Sequence, residues 1–490
     1  MGKDVSQKSF TDNDYKVFQQ ALYHQLTQLK DILARDHFGD ETLKFGAELE
    51  MYLIDDNGQI SPSNQLLLNQ LSDPQYQVEL NKYNLELNLS AVKQNGKPFT
   101  AIRNEMLEKT AQLEQIAAKN NINVLPIGIL PTLKKQDINH QLMTDLSRYH
   151  CLSNHLFEQR GDAFSVNING EEPITERFDD ICAEGANTSF QVHMMTQYKD
   201  FNNVFNAAQL TIPLVTAIGA NSAIFLGNRV WDETRIALFK QSLDIRHQHQ
   251  YQWHEPTRVN FGFGWLKDNV WELFAQSVAL YPPILPALCD NDRANNERLE
   301  ELNMHMGTLW PWHRPVYDHH GNGHMRIEFR AIPAGPTSID MVANAAFAIG
   351  LANGLKDEVN DFTAIMPFRY AEYNFYRCAQ YGLDAKVLWP LNHCYKLEEV
   401  SICEVIKQLL PKAKKGLLDL GIDKDEVETY LGAIEQRLEQ GVTGAIWQKK
   451  TAQHLEQTLD KDEACQQLVK LYLNQCRSAK PVSQWERLWS

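Results

Sequence analysis

Residues 46–55 read GAELEMYLID, and apolar and polar side chains alternate along this stretch. Because successive residues of a β-strand point to opposite faces, the alternation predicts a strand with one apolar and one polar face. Glu48 and Glu50 share the polar face. Two neighbouring carboxylates repel each other unless a cation neutralises them, so the pair indicates a divalent metal ion. A strand with a solvated polar face is the alternative, and other segments must distinguish the two.

A second segment with this alternation reads YNLELNL, residues 83–89. Its leucines form the apolar side, and Glu86 lies on the polar side. Glu79 precedes Glu86 by seven residues, an odd separation that would place the two acids on opposite faces of a straight strand. We therefore expect the chain to turn within residues 81–84 if both carboxylates reach one site.

Two further segments repeat the theme, NTSFQVHMM (187–195) and HMRIEFR (324–330). Alternation gives their polar faces a mixed set of side chains: Gln191, His193, His324, Arg326, Glu328 and Arg330. A carboxylate between arginines suits a surface that binds metal through the acid and phosphate through the guanidinium groups. Cross-strand ion pairs and a structural histidine would explain each segment alone. Together, the four strands favour a shared metal site.

Strand-like and helical segments interleave over the first 370 residues. The strands alternate apolar and polar residues instead of forming continuous apolar runs, which favours an antiparallel sheet with helices on one face only. Beyond residue 370 the pattern is helical and rich in charged residues. Since 490 residues exceed the usual size of one hydrophobic core, we predict an α+β fold with a main domain over residues 1–370 and a helical C-terminal subdomain over residues 371–490.

Local periodicity places several elements within the main domain. Apolar residues at helical spacing predict three helices, over residues 12–35, 98–120 and most of 207–226. Residues 123–130 predict a buried strand. Residues 247–265 and 310–324 are rich in His, Trp, Gly and Pro and lack a clear period, which predicts loops near an active site.

The chain carries 47 Lys and Arg against 62 Asp and Glu, a net charge of −15. This balance repels phosphate backbones and anionic lipid headgroups, so we expect no nucleic acid and no membrane among the partners. The eight cysteines form no C-x-x-C pair. No apolar run is long enough to span a bilayer. We therefore expect a cytoplasmic protein with reduced thiols.

Histidines are concentrated in two regions of the sequence: His247, His249 and His254, and His313, His319, His320 and His324. Their spacing matches neither a structural zinc site nor the two histidines of an HExxH helix. We expect them to be loop residues. His324 is the one most suited to reach the site, because it starts the fourth strand segment.

The four strand motifs, taken in order, resemble those of the glutamate-cysteine ligases and related carboxylate-amine ligases. The resemblance covers about residues 43–350. It includes residues 220–246, ANSAIFLGNRVWDETRIALFKQSLDIR, which are similar to the family's Asn-Ser helix end followed by two arginines, here Arg235 and Arg246. The chain departs from the family pattern at Ser90-Ala91 and at Glu233, and we expect both departures to bear on substrate choice.

The resemblance implies a glutamine-synthetase-like fold in which a curved antiparallel sheet binds ATP and two or three Mg²⁺ ions, with Mn²⁺ as an alternative. It assigns the metal ions to Glu48, Glu50, Glu79, Glu86, His193 and Glu328. It assigns catalysis to Arg330 and Arg235, and nucleotide binding to Gln191, Arg326 and Arg330.

The implied reaction is an ATP-dependent ligation in glutathione biosynthesis. The γ-carboxylate of glutamate takes the γ-phosphoryl group of ATP, and the resulting acyl phosphate is attacked by an amine, with cysteine as the first choice. One alternative is the same activation with another amino acid or amine. The other is a nucleotide-binding protein without turnover that interacts through its C-terminal helices. The oligomeric state stays open.

Overall fold

The computed structural model describes residues 10–246, 254–288, 297–390 and 395–489. Its helices are α1 (Asp12–Leu33), α2 (Asn64–Leu71), α3 (Pro98–Ala118), α4 (Ser147–Arg160), α5 (Phe201–Gly219), α6 (Thr234–Ser242), α7 (Trp271–Leu280), α8 (Glu300–Met306), α9 (Ser338–Leu355), α10 (Val359–Ile365), α11 (Phe368–Tyr381), α12 (Ile402–Asp419), α13 (Lys424–Gln440), α14 (Gly444–Leu455) and α15 (Lys461–Arg477). Its strands are β1 (Lys44–Ile54), β2 (Tyr76–Val78), β3 (Asn84–Lys93), β4 (Asn123–Leu125), β5 (Phe164–Ile168), β6 (Ile174–Phe178), β7 (Phe190–Met195), β8 (Ile224–Phe225), β9 (Asn228–Arg229), β10 (Val259–Asn260), β11 (Trp310–Pro311), β12 (His313–Asp318), β13 (His324–Phe329), β14 (Lys386–Pro390) and β15 (Leu397–Ser401). Strands and helices thus interleave as far as β15, and α-helices follow.

A seven-stranded antiparallel sheet lies at the centre of the fold, in the order β12-β13-β7-β1-β3-β2. β4 pairs with the end of β1. Glu48 lies opposite Asn88 of β3 on one side and Gln191 of β7 on the other, while Glu50 lies opposite Glu86. The predicted antiparallel sheet is confirmed, and its register places the polar faces of the predicted strands side by side.

The opposite face of the sheet is buried against helices. Leu49 and Met51 of β1 are fully buried, and Phe45 stacks on Phe99 of α3 with ring centroids 5.6 Å apart. α3 packs on β1, β3 and β4, and α9 packs on β7. Burying one such side chain contributes about 1.5–3 kcal/mol. A one-residue slip of β1 would turn all of them to the polar face, so this burial fixes the register.

Two of the predicted helices are confirmed by α1 and α3. α1 begins with a capping box, in which the Thr11 hydroxyl accepts from the Asp14 amide and the Asp14 carboxylate accepts from the Thr11 amide. The helix predicted within residues 207–226 is α5, which begins earlier and ends at Gly219. Because α5 is buried almost throughout, its apolar pattern does not mark its ends.

One prediction from local pattern is confirmed only in part, and another is wrong. Residues 123–130 form a strand only as far as Leu125, because Pro126 cannot donate a ladder hydrogen bond. Residues 310–324 are not a loop, since β12 lies within them and pairs with β13. Pro315 lowers the strand propensity of this segment, so the sequence pattern did not predict a strand. Proline is tolerated at a sheet edge, and β12 is an edge strand.

Some predictions fall partly on residues outside the described ranges. Of the predicted loop 247–265, residues 247–253, with His247 and His249, are outside, and the remainder contains only the short β10. Cys289 and Cys394 are also outside. No disulfide joins the six cysteines within the described ranges.

α9 lies among α3, α5, α12 and α13. Within the described ranges it is the one helix long and apolar enough to cross a membrane, and 89% of it is buried inside the fold. Glycines allow α12 to approach it closely. A Cβ at Gly416 of α12 would lie 2.1 Å from the carbonyl oxygen of Gly350, and one at Gly354 would lie 2.1 Å from that of Lys412. The two helices therefore pack backbone against backbone.

A buried ion pair also ties α13 to α9. Arg437 Nη1 donates to Asn344 Oδ1 and to the carbonyl oxygen of Ile218, each at 2.8 Å, and Arg437 Nε lies 3.6 Å from Asp340 Oδ1. Both charged side chains are almost completely buried. Removing one partner of such a pair costs about 3–5 kcal/mol. The division into residues 1–370 and 371–490 stays a prediction, and these contacts join its two parts.

We predict that Gly416→Ala destabilises the protein, because the added methyl group would overlap the backbone of α9. The expected loss is about 1–3 kcal/mol in the free energy of unfolding, measured from the denaturant midpoint. Gly432→Ala in α13 is the matched control. Outside the backbone of its own helix, no atom of the described residues lies within 4 Å of a Cβ at this glycine, so alanine there should leave stability unchanged or raise it slightly. Equal midpoints for the two variants would contradict the close helix contact.

Candidate active site

Six of the residues predicted to bind metal lie in two groups of three. The first ligand group is Glu48, His193 and Glu328, and the second ligand group is Glu50, Glu79 and Glu86. Within each group, one ligand atom per residue lies within 4.8 Å of the others. The sequence predicted one shared site, and the structure brings all six residues to the same face of the sheet. Their assignment as metal ligands stays a prediction.

The first ligand group spans β1, β7 and β13. His193 lies opposite Glu328 in the ladder, and its Nε2 is 3.1 Å from Glu48 Oε1. Arg314 of β12 lies on the other side of Glu328 and donates to it through two guanidinium nitrogens, Nη2 at 3.0 Å from Oε1 and Nε to Oε2. Glu328 is completely buried, and Glu48 is 25% exposed.

The second ligand group spans β1, β3 and the turn that follows β2. The amide of Asn84 donates to the carbonyl oxygen of Asn81, which closes the predicted turn and brings Glu79 to the polar face. Glu50 accepts from the amide of Ser189 at 2.7 Å, and Glu86 accepts from Asn88 Nδ2 at 2.6 Å. These hydrogen bonds fix the orientation of the Glu50 and Glu86 carboxylates.

Burial and mutual repulsion raise the pKa values of the second ligand group. Burial, followed by the charge of Glu50, raises the pKa of Glu79 to about 8. Burial, with Glu48 and Glu79 adding to it, raises the pKa of Glu86 well above its usual value. The pKa of Glu50 also rises through burial, although two arginines oppose the shift. Near neutral pH this group holds protons unless a cation replaces them.

The first ligand group has the opposite electrostatics. Burial alone would raise the pKa of Glu328, but Arg314 and Arg330 hold it far below its usual range. Burial likewise acts on Glu48, and there the charge and hydrogen bond of His193 outweigh it, so that the pKa of Glu48 is lowered. The two carboxylates of this group therefore stay ionised at neutral pH. An ion can bind to it without displacing protons from the carboxylates.

Both ligand groups fit a hard divalent cation. The second group offers only carboxylate oxygens, the ligands that Mg²⁺ prefers, and its raised pKa values mark uncompensated negative charge. The first group adds one imidazole nitrogen, which both Mg²⁺ and Mn²⁺ accept. Neither group contains the thiolates typical of structural zinc sites.

Arg330 connects the two ligand groups. Its Nη1 donates to Glu328 Oε1 at 2.8 Å and to Gln191 Oε1 at 2.6 Å. Gln191 Nε2 in turn donates to Glu50 Oε1 at 2.8 Å, so both ends of the Gln191 amide are engaged within the protein. Arg330 Nε is buried and has no hydrogen-bond partner in the part of the chain that the structure describes. That nitrogen is a free donor beside both groups.

Arg326 lies at the other side of the first ligand group and borders a cavity of about 380 Å³. Its Nε donates to His193 Nδ1 at 3.3 Å, and its Nη1 donates to Asp318 Oδ2 at 3.1 Å. Charged and polar side chains line much of the cavity: Glu41, Lys44, Glu48, His193, His324 and Arg326. His324 therefore reaches the site, as predicted. The cavity has the size of a small-molecule pocket.

Arg235, predicted as a second catalytic arginine, is almost completely buried. Its Nη1 donates to Glu233 Oε1 at 3.0 Å and to the carbonyl oxygen of Ala331 at 3.3 Å, and its Nη2 donates to that of Arg330 at 3.4 Å. These bonds hold the backbone that carries Arg330. The geometry favours a positioning role for Arg235, and its predicted catalytic role is untested. Arg246, the other arginine of the motif, pairs with Asp244 instead.

Glu233 belongs to a buried polar network that reaches the C-terminal helices. Its Oε2 accepts from the amide of Asn221 at 2.9 Å. Asn221 Nδ2 donates to Tyr472 Oη of α15 at 2.8 Å and to the carbonyl oxygen of Ala334 at 2.7 Å. Gln448 Nε2 of α14 donates to Asn221 Oδ1 at 2.8 Å. Glu233 thus acts on Arg235 from inside the protein rather than from the polar face.

Sequence reasoning missed three charged residues of the site. Arg314 and Asp318 lie on β12, which was predicted as loop. The signal that could have found them is the turn HHGNG (319–323) between two alternating segments, which is typical of a hairpin. Glu184 has no such signal. Burial and the charge of Glu50 raise its pKa to about 8.

Comparison with known families identifies the chain. The sequence-family model of glutamate-cysteine ligase family 2 matches residues 44–469 of the chain. The chain belongs to this family. The resemblance seen in the strand motifs is confirmed, and the match continues beyond residue 350 into the C-terminal helices. Family membership makes the protein a ligase of the carboxylate-amine type. No curated protein sequence matches the chain.

Solved structures share the fold. The glutamate–cysteine ligase of Francisella tularensis, in complex with AMP, is 12% identical with a TM-score of 0.56 over 90% of both chains. A bifunctional glutathione synthetase of Pasteurella multocida is 12% identical with a TM-score of 0.49, and 93% of this chain spans 55% of that one. The ligase PafA, in complex with the prokaryotic ubiquitin-like protein Pup, is 10% identical with a TM-score of 0.41 over 89% of this chain and 72% of that one. The first similarity confirms the predicted fold class.

We predict that the ion-free protein loses stability as the pH rises from about 5 to about 8. The pKa of Glu79 is about 8 in the folded chain against a usual value of 4.5, so the folded chain holds a proton that the unfolded chain releases. This contribution is complete below about 4.5 and is lost as the pH passes about 8. Urea unfolding in a chelator at several pH values measures it.

Glu79→Gln provides the comparison for this titration. The amide cannot release the proton, so stability should fall less steeply with pH in the variant than in the wild type. Adding Mg²⁺ to the wild type should also flatten the dependence, because the ion replaces the protons of the second ligand group. Parallel pH curves for the wild type and the variant would contradict the raised pKa.

Proposed function

We propose that the protein is an ATP- and Mg²⁺-dependent ligase that joins the γ-carboxylate of glutamate to the amine of cysteine. One observation carries this proposal. Arg330 contacts the first ligand group directly and the second through Gln191, and its buried Nε has no partner among the described residues. A buried donor without a partner costs free energy, and a ligand that accepted a hydrogen bond from it would recover that cost. A phosphoryl group between two cation sites is such a ligand.

Each ligand group would hold one Mg²⁺ ion. Glu48, His193 and Glu328 form one site; Glu50, Glu79 and Glu86 form the other, and this arrangement supports two of the two or three ions expected. When bound, the ions would offset the negative charge of the ATP phosphates. Arg330 would supply the remaining positive charge from the protein itself.

We place ATP in the cavity beside the first ligand group, with Arg326 among its contacts. The cavity opens next to His193 and Glu48, so a nucleotide there would carry its phosphates toward the metal sites. Lys44 and Arg326 on its walls complement phosphate charge. The Francisella tularensis ligase is described in complex with AMP, which supports a nucleotide site in this fold. Gln191 would act indirectly, by orienting Arg330.

The proposed reaction has two steps. A γ-carboxylate oxygen of glutamate attacks the γ-phosphorus of ATP, ADP leaves, and a γ-glutamyl phosphate forms. The amine of cysteine then attacks the acyl carbon, inorganic phosphate leaves, and the amine loses a proton. Arg330 donates to the phosphoryl oxygens while charge moves onto them. The chemistry needs no protein nucleophile. Burial raises the pKa values of the Cys182 and Cys378 thiols, which makes both poor nucleophiles.

Cysteine is the acceptor that family membership favours, and another amino acid or amine is the alternative. A cytoplasmic location follows from the same proposal, since cysteine is available there as a thiol. The net charge of −15 argues against nucleic acid as a partner. Small molecules are the proposed partners.

We predict glutamate-dependent release of phosphate from ATP when cysteine is present. The assay measures phosphate with glutamate and Mg²⁺ against a panel of amines, with cysteine omitted in one control and glutamate in another. Glutamate-dependent turnover with cysteine and with no other amine of the panel would support the proposed acceptor. Turnover only with another amine would replace cysteine and keep the ligase. If the protein binds ATP but shows no turnover with any amine of the panel, the result would contradict the ligase and favour the nucleotide-binding alternative.

Glu328→Gln should reduce this turnover by about 10²–10³-fold, because it removes charge from the first ligand group. Glu435→Gln is the matched control, since Glu435 is an exposed glutamate of α13. It should turn over like the wild type. Comparable activity in both variants would contradict the assignment of Glu328.

We predict that lysine substitutions separate the roles of Arg330 and Arg235. Arg330→Lys keeps the charge but loses the fork of donors, so kcat should fall by about 10²-fold with little change in Tm. Arg235→Lys breaks the bonds to Glu233 and to two backbone carbonyls, so it should also lower stability by about 1–3 kcal/mol. Initial rates and thermal unfolding measure the two effects. A fall in kcat without any loss of stability in Arg235→Lys would instead indicate direct contact with substrate.

A further inference from the structure

A third group of potential metal ligands lies at the turn between β12 and β13. Asp318 Oδ1 is 2.5 Å from His320 Nδ1 and 3.9 Å from His319 Nδ1, and one ligand atom from each of the three residues lies within 4.8 Å of the others. We refer to these three residues as the hairpin group. The centroids of the two imidazole rings are 4.3 Å apart, and the ring planes are tilted by 38°. The sequence predicted these histidines to be loop residues without a metal, so their convergence on one carboxylate is new.

The surrounding structure holds the hairpin group in place. Gly321 and Gly323 have φ values of +63° and +80°, which permit the tight turn after the histidines. The amide of Asn322 donates to Glu41 Oε1 at 3.1 Å, and this tethers the turn to the segment before β1. The ligands therefore project from a braced hairpin rather than from a free loop.

A hydrogen bond from Arg326 also orients the Asp318 carboxylate of the hairpin group. Arg326 Nη1 donates to Asp318 Oδ2 at 3.1 Å, so the arginine engages one oxygen and the histidines approach the other. A hydrogen-bonded carboxylate beside the ligating atoms is the arrangement that metal sites commonly use to fix their ligands. His320 is 77% exposed and His319 is 32% exposed, so an ion can enter from solvent.

We propose that the hairpin group binds a transition-metal cation of the Zn²⁺ class, separate from the two ligand groups for Mg²⁺. Two imidazole nitrogens and one carboxylate oxygen form a donor set that Zn²⁺ accepts readily and that Mg²⁺ disfavours. Three protein ligands also leave a fourth position for water or another ligand. This composition distinguishes the hairpin group from the two sets on the sheet, which have at most one nitrogen.

The location of this site couples it to the cavity beside the first ligand group. Asp318 and His320 line that cavity together with Arg326. Because Asp318 would both ligate the ion and hold Arg326, the ion and a ligand of Arg326 must influence each other's affinity. This consequence rests on the proposed nucleotide site, whereas binding of the ion does not. Zn²⁺ would act as a modulator of nucleotide binding at the rim of the cavity.

Calorimetric titration of Zn²⁺ into the full chain, in excess Mg²⁺, tests the proposal. Mg²⁺ reduces binding of Zn²⁺ to the acidic ligand groups, and the heat that the wild type releases beyond the double variant described next reports on the hairpin group. The wild type should bind Zn²⁺, and His319→Ala with His320→Ala should weaken it by about tenfold or more. His454→Gln, at an exposed histidine of α14, is the matched control and should bind like the wild type. Co²⁺ in place of Zn²⁺ should give visible absorption that the double variant loses.

Retention of wild-type Zn²⁺ affinity in the double variant would overturn the proposal, and so would the absence of Zn²⁺ binding in excess Mg²⁺. The histidines are at the surface, and equal Tm values would confirm that the variants fold. Titration of ATP with and without Zn²⁺ then measures the coupling. A chain that binds Zn²⁺ at the hairpin but does not bind ATP would keep this inference and remove the proposed function. A chain that binds ATP but not Zn²⁺ would do the reverse.

Discussion

Negative charge on one face of the central sheet is the constraint on which the rest of the structure depends. The apolar side of β1 must be buried against α3, and this requirement turns Glu48 and Glu50 to the opposite side. Strands on both sides of β1 add further acids to that face. The negative charges of the two ligand groups are neutralised to different extents. Arginines neutralise the first ligand group, whereas the second is left to protons or a cation.

This division gives the two ligand groups different properties before any ion is present. In the first group, the two arginines beside Glu328 keep its carboxylate ionised, so under the proposed function it would bind an ion without losing a proton. Under the same proposal, the second group would exchange protons for an ion, so its affinity would depend on pH. Arg330 is linked to both ligand groups. Its Nη1 donates to Glu328 and to Gln191 Oε1, and the Gln191 side chain donates to Glu50. A ligand that moves this side chain changes the surroundings of both groups at once.

Much of the site could be predicted from the sequence because strand alternation is a short-range rule. The acids of β1, β3 and β13 were placed correctly on one face, since each lies on a strand whose other face is apolar. The turn between Glu79 and Glu86 followed from an odd separation. The ordered motifs then indicated the family, which supplied the expected fold, nucleotide and reaction. None of this required knowledge of the pairing of distant strands.

The remaining features depend on long-range contacts that leave no local pattern. Arg314 was missed because it lies beside Pro315 on an edge strand, and proline is not typical of strands. The sequence could not show that Glu233 lies inside the protein against Arg235, nor that the two ligand groups are separate, since both facts follow from packing and register. The division near residue 370 stays a prediction, and contacts of α12 and α13 with α9 cross it.

The hydrogen bonds of Asn221 bear on how this protein can be shortened. Tyr472 and Gln448 reach Asn221 from helices near the end of the chain, and from there contacts run through Glu233 to Arg235 and the backbone of Arg330. A fragment that ended after the sheet would retain every acidic ligand and lose the support of its main arginine. The last helices therefore belong to the minimal unit that any engineered or naturally split form would have to preserve.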